Sequence, residues 1–368
     1  MNILILTVTA GHGHNQTAKS IYNYATAKGH NALILDSLEY INPLLKDTVN
    51  KAYLLSTSLS PKAYGKVYSL IENKDTNDSL ISGQNITTTI LSKKIIKFIK
   101  DFKPDAIICT HVFSAIFVSD IKKEGIDALT FGIVTDYTLH PFWNETNIDY
   151  YVLPNEYLTY QTVSKGIPEE KILPFGIPID SKFNKKLDKK LARELVGIDN
   201  KPTILMMSGS MGYGNMFKQL EAICNLPYDF QIVSICGNNK STKKKIDSHT
   251  FPKKVYNIGF SDKVDIYMDA CDIIITKPGG LTVSEALAKK IPMILTNPIP
   301  GHEARNREFL INMGVAMTNS KTFPIEEVVA LILTSPKKLQ TMENAIDLIR
   351  KPEASKTLIE FIEEIKND

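Results

Sequence analysis

Ile273-Ile-Ile-Thr-Lys-Pro-Gly-Gly-Leu-Thr-Val-Ser-Glu-Ala-Leu-Ala288 decides the fold of this chain. Three consecutive isoleucines read as a buried strand, and Pro278-Gly279-Gly280 stops it. Leu281 to Ala288 has no breaker and reads as a helix. A strand, a tight glycine turn and a helix in that order make the first half of a βαβ unit. Glycine lets the backbone come close to a ligand, and the free N–H groups at the helix start suit a diphosphate. Glu285, one turn into the helix, is placed to accept the two hydroxyls of a ribose. A tight turn with a dipole-favoured acid would look the same.

The same alternation runs outward in both directions. Strands are expected at residues 3–8, 32–36, 105–110, 130–135 and 150–153, with a helix over 17–28 ended by Gly29. A Gly/Pro turn, Phe175-Gly-Ile-Pro-Ile-Asp180, and a lysine-rich helix over 185–195 interrupt the pattern. It restarts with strands at 203–208, 231–236, 255–258, 273–276 and 293–295, and the tail from 324 to 366 is helical. Strands separated by helices give parallel sheets. The expected fold is α/β, with two Rossmann-like parallel-sheet domains facing across a cleft. The domains expected are 1–178, 179–350 and a C-terminal helix, 351–368, that packs back on the first. Two domains also suit 368 residues.

Ligands of such sheets sit at the carboxyl ends of the strands. Those ends carry His12 and His14, His111, Asp136 and His140, and Asn155. His12 and His14 stand among glycines, which give no packing, and either fits a general base. They lack a third ligand at a fixed spacing, so no metal is expected. His140-Pro-Phe-Trp143 puts the only tryptophan in a loop, either packed on its own domain or meeting lipid or acceptor. A second glycine loop, Ser208-Gly-Ser-Met-Gly-Tyr-Gly214, offers Gly209 to a ligand, and Pro298-Ile-Pro-Gly-His-Glu303 offers His302 and Glu303 to sugar hydroxyls.

Bulk properties exclude several classes. A net charge of +3 is too small to argue nucleic acid, and no apolar run reaches the ~20 residues of a membrane span. The strand-like N-terminus is not a signal peptide. Cys109, Cys224, Cys236 and Cys271 lie in or beside apolar runs and read as buried hydrophobes of a reducing, cytoplasmic compartment. Residues 44–103 carry ten lysines against five acids, mixed with Tyr53, Tyr64, Tyr68 and Phe98. This stretch reads as a face for anionic lipid, or as ordinary amphipathic helices with solvated lysines.

In order, Gly11-His-Gly-His14, Thr135-Asp136 with His140, Gly176-Ile-Pro-Ile, Cys236-Gly-Asn-Asn, Lys277-Pro-Gly-Gly-Leu-Thr with Glu285, and Pro300-Gly-His-Glu303 with Asn306 resemble a known set of motifs. The chain resembles, over nearly its whole length, the diacylglycerol glucosyltransferase and monogalactosyldiacylglycerol synthase branch of glycosyltransferase family 28. The resemblance implies a GT-B fold and inverting, metal-independent transfer from UDP-glucose or UDP-galactose to diacylglycerol, with no cofactor. It implies His14 as base and Asp136 beside the acceptor. It implies Pro278, Gly279, Gly280, Leu281 and Thr282 at the diphosphate, Glu285 at the ribose, and Gly259 and Phe260 at the uracil. Glu303 would touch the donor sugar. His302 departs from the family's usual Gln, which leaves the sugar open. The resemblance also implies docking on the inner face of the cell membrane through residues 44–103 and the segment around His140. Two other readings fit the same residues: an N-acetylglucosaminyl transferase acting on another lipid, and a UDP-sugar sensor without turnover.

Overall fold

The computed structural model describes residues 1–9, 13–41, 88–207 and 215–367. Gly209 and its loop, His12, and most of the 44–103 stretch lie outside the described residues. The chain divides into two compact units: Met1–Ser181 with Ile299–His302 and Glu353–Asp368, and Lys182–Pro298 with Glu303–Pro352.

The first unit holds six parallel strands: β1 (Asn2–Thr7), β2 (Asn31–Asp36), β3 (Ala106–Cys109), β4 (Leu129–Ile133), β5 (Tyr150–Val152) and β6 (Ile172–Leu173). Their order is β2-β1-β3-β4-β5-β6. Central strands are continuously apolar because helices cover both faces. Ile3, Ile5, Ile108 and Phe131 are fully buried together with Leu358, Ile359 and Ile362 of the last helix, Ala354–Asn367. Each such side chain contributes about 1.5–3 kcal/mol on burial, so the last helix is part of this core rather than a loose tail.

The second unit repeats the plan: β7 (Thr203–Met207), β8 (Gln231–Ile235), β9 (Val255–Ile258), β10 (Ile273–Thr276), β11 (Met293–Leu295) and β12 (Ala316–Thr318), in the order β12-β11-β10-β7-β8-β9. The expected strands match within a residue or two. The two missed ones, β6 and β12, are edge strands of two and three residues.

Gly132 in β4 explains the fate of the tryptophan. A Cβ there would lie 2.5 Å from both Trp143 and Ile148. The indole fills that space, is only 4% exposed and meets Tyr151 edge to face. Trp143 therefore packs on its own unit, and the lipid-facing alternative for it is corrected. In the described part of the lysine-rich stretch, helix Thr88–Phe102 buries Ile95 and Ile99 and exposes Lys94, Lys97 and Lys100. That segment is an amphipathic helix, as both readings of the stretch require. Among the described residues no helix is long and apolar enough to cross a membrane. All four cysteines are buried and free, as expected of small hydrophobes.

Candidate active site

In the first unit, three histidines gather at the carboxyl ends of β1, β3 and β4. His14 lies in the first turn of helix Gly13–Ala27. Its Nδ1 is 2.7 Å from the carbonyl oxygen of Thr110 and 3.2 Å from the Thr135 hydroxyl. A carbonyl only accepts, so Nδ1 carries the proton and the neutral ring keeps a lone pair on Nε2. Burial pulls the pKa of His14 below the ordinary histidine value, and His302 adds to this, while the Thr110 carbonyl and Asp136 pull it up. The ring is thus neutral and oriented, with Nε2 able to accept a proton. It is half-buried at the helix start. Thr110, just past β3, and Thr135, just past β4, were not foreseen as its holders. A backbone carbonyl leaves no residue signature in a sequence.

His111 meets the His14 ring edge-on at 4.5 Å. Burial, with His14 and His140 nearby, holds it well below the usual histidine pKa. Asp136 is half-buried and faces His14 electrostatically.

In the second unit, β10 runs into Lys277-Pro278-Gly279 and the helix Gly280–Ala288. Gly279 is the N-cap and supplies no side-chain hydrogen bond to the helix start. The N–H groups of Gly280, Leu281 and Thr282 therefore have no acceptor within the helix, and they point along its positive dipole end. Pro278 is fixed by Asn306, whose Nδ2 donates to its carbonyl at 3.0 Å. Lys277 pairs with Glu303 at 2.6 Å, and Glu303 is 2% exposed. A Cβ on Gly279 would stand 3.7 Å from the same carboxylate. Glu303 thus lies beside the Pro278-Gly279 turn, although 26 residues separate it from Lys277. Its lysine partner was missed in the sequence, where only the Lys-Pro-Gly-Gly block hinted at it. Glu285 is part-exposed one turn into the helix. Gly259 and Phe260 follow β9, and the Phe260 ring is 71% exposed. His302 opens the helix His302–Asn312 and is part-exposed.

Comparison with known proteins gives these arrangements a setting. Residues 14–179 match the family described as monogalactosyldiacylglycerol (MGDG) synthase, and residues 203–358 match the glycosyltransferase family 28 C-terminal domain. A processive diacylglycerol beta-glucosyltransferase of Bacillus pumilus is 30% identical over 367 residues, 98% of this chain and 94% of the relative. Its Bacillus licheniformis counterpart is 29% identical over 97% of this chain and 93% of the relative. Among solved structures, MurG of Acinetobacter baumannii matches with a TM-score of 0.64 at 15% identity, over 99% of each chain. UDP-GlcNAc 2-epimerase of Neisseria meningitidis, bound to UDP-GlcNAc, matches at 0.60 and 16%, over 99% of this chain and 100% of that one.

Two six-stranded parallel sheets with these neighbours define the GT-B class, and the protein is an enzyme, a UDP-sugar-dependent glycosyltransferase. The chain belongs to glycosyltransferase family 28, in its diacylglycerol glucosyltransferase and monogalactosyldiacylglycerol synthase branch.

Proposed function

We propose that the protein transfers glucose from UDP-glucose to the free hydroxyl of diacylglycerol, with inversion at the anomeric carbon. Glucose is chosen over galactose because the Bacillus relatives carry a glucosyl name. The observation that carries the catalytic reading is the 2.7 Å contact of His14 Nδ1 with the Thr110 carbonyl, which commits the Nδ1–H and leaves Nε2 basic.

In this reading the acceptor hydroxyl gives its proton to His14 Nε2 as its oxygen bonds to the anomeric carbon. The bond from that carbon to the β-phosphate oxygen breaks, and UDP leaves with the electron pair. One displacement inverts the centre. Thr110 stabilises the imidazolium that forms, because a hydrogen bond to a charged donor is stronger than to a neutral one. Asp136 adds a carboxylate on the same side. Negative charge growing on the diphosphate meets the amides of Gly280, Leu281 and Thr282. Pro278 and Gly279 shape that turn; Gly209, proposed for the same ligand, lies outside the described residues. Glu285 binds the ribose, the backbone at Gly259 and Phe260 holds the uracil, and His302 and Glu303 contact the sugar. In this reading the enzyme works on its lipid acceptor peripherally, at the inner face of the cell membrane.

The test is incubation with labelled UDP-glucose, UDP-galactose or UDP-N-acetylglucosamine over diacylglycerol liposomes, followed by lipid separation. Label in a glucolipid is the expected result. Label only from N-acetylglucosamine, or UDP-sugar binding with no transfer to any lipid, would overturn the proposal.

A further inference from the structure

Three neighbouring strand ends of the first sheet carry the same cap. After β3, His111 Nδ1 accepts the N–H of Phe113 at 3.1 Å. After β4, in its loop, His140 Nδ1 accepts the N–H of Phe142 at 3.2 Å. After β5, Asn155 Oδ1 accepts the N–H of Tyr157 at 3.0 Å. Each cap is followed two residues on by an aromatic ring.

Asn155 shows that an amide is enough for this turn, and asparagine is among the best N-caps, whereas histidine is not favoured there. Capping therefore does not account for an imidazole at 111. What an imidazole adds is its second nitrogen. With Nδ1 accepting, the neutral ring carries its proton on Nε2 and offers one uncharged donor on its far side. Burial keeps His111 in that neutral state.

The surroundings of His111 narrow the ligand. His14 is 4.5 Å away, Phe113 is 5.0 Å from the His111 ring, and Phe142 is 6.4 Å from Phe113. Both phenyl rings are part-exposed. The arrangement is a neutral donor beside the base, with hydrocarbon walls. It suits a neutral carbonyl joined to an alkyl chain, a few bonds from a hydroxyl.

We propose that His111 donates from Nε2 to an ester carbonyl of the diacylglycerol whose hydroxyl faces His14, and that Phe113 and Phe142 hold the start of that acyl chain. This rests on the acceptor assigned above, and the experiment separates the two. Wild-type enzyme and His111→Asn, which keeps the cap, are assayed with a diacylglycerol and with the dialkyl ether of equal chain length, which lacks both carbonyls. The wild type should show a KM for the ether about two- to tenfold higher than for the ester, the worth of one hydrogen bond. His111→Asn should treat the two lipids alike while its UDP affinity is unchanged. Equal use of ester and ether by the wild type, or undiminished discrimination in the variant, overturns the proposal and leaves the acceptor reading standing. No transfer by the wild type to either lipid overturns both. If the variant loses UDP binding, indicating misfolding, the wild-type ester-to-ether ratio decides alone.

Discussion

Replacing His14 by alanine removes the proposed base, whose contribution divides into two parts. General-base catalysis gives about 10²–10⁴-fold, or roughly 2.7–5.4 kcal/mol at 1.36 kcal/mol per decade. Part of this comes from Thr110. Its carbonyl sits 2.7 Å from Nδ1, and such a bond is worth about 1 kcal/mol to a neutral ring and about 1.5–3 kcal/mol once the ring is charged. The difference, about a decade in rate, is gained only as the proton arrives. His14→Ala loses both parts, so turnover over diacylglycerol liposomes should fall at least about 100-fold. UDP affinity measured by calorimetry should stay constant, because the residues proposed for the nucleotide belong to the second unit. The wild-type pH profile carries the same logic. His14 must be neutral to act, and burial lowers its pKa, against the Thr110 carbonyl and Asp136 and together with His302. The acid limb should therefore fall below pH 6.5, the ordinary histidine value, with activity lost as pH drops through it. Turnover of the alanine variant within tenfold of wild type, or an acid limb above the ordinary value, would refute the argument.

Two further outcomes separate binding from folding. Gly279→Ala places a methyl in ordinary contact distance of Glu303, 3.7 Å, at a backbone φ of −74° that any residue accepts; its Tm should hold while UDP affinity, read by calorimetry, drops more than about tenfold if the proposed diphosphate approaches the backbone here. Gly132→Ala should do the reverse. Its Cβ collides with Trp143 and Ile148 at 2.5 Å, and overpacking of this kind costs about 1–3 kcal/mol, measurable as a lower urea midpoint with tryptophan fluorescence as the probe.

The alternation of buried strands and helices was readable because a strand covered on both faces must be apolar throughout, as Ile273–Thr276 is. The edge strands escaped. Ile172–Leu173 has only two residues between Lys171 and Pro174, too few to show any period. The candidate residues could be found because parallel sheets direct attention to strand ends, where His14, His111, Asp136 and His140 stand. Their roles were less legible. The tautomer of His14 is set by a main-chain carbonyl 96 positions away. The pairing of Lys277 with Glu303 depends on β10 and β11 lying side by side. The inward turn of Trp143 depends on a missing side chain at Gly132. In each case the deciding partner is distant in the chain or has no side chain to read.

The placement of Leu358, Ile359 and Ile362 in the first core has a consequence for biosynthesis. On a ribosome the first sheet emerges early, but its hydrophobic interior stays open until residue 362 follows, roughly 180 residues later. At ~5–20 residues per second that is about ten to forty seconds. During that time the nascent half must be shielded or held by weaker partners, while the intervening half can already have closed on itself. A truncation that removes Leu358, Ile359 and Ile362 would therefore spoil the sheet formed by the first residues of the chain.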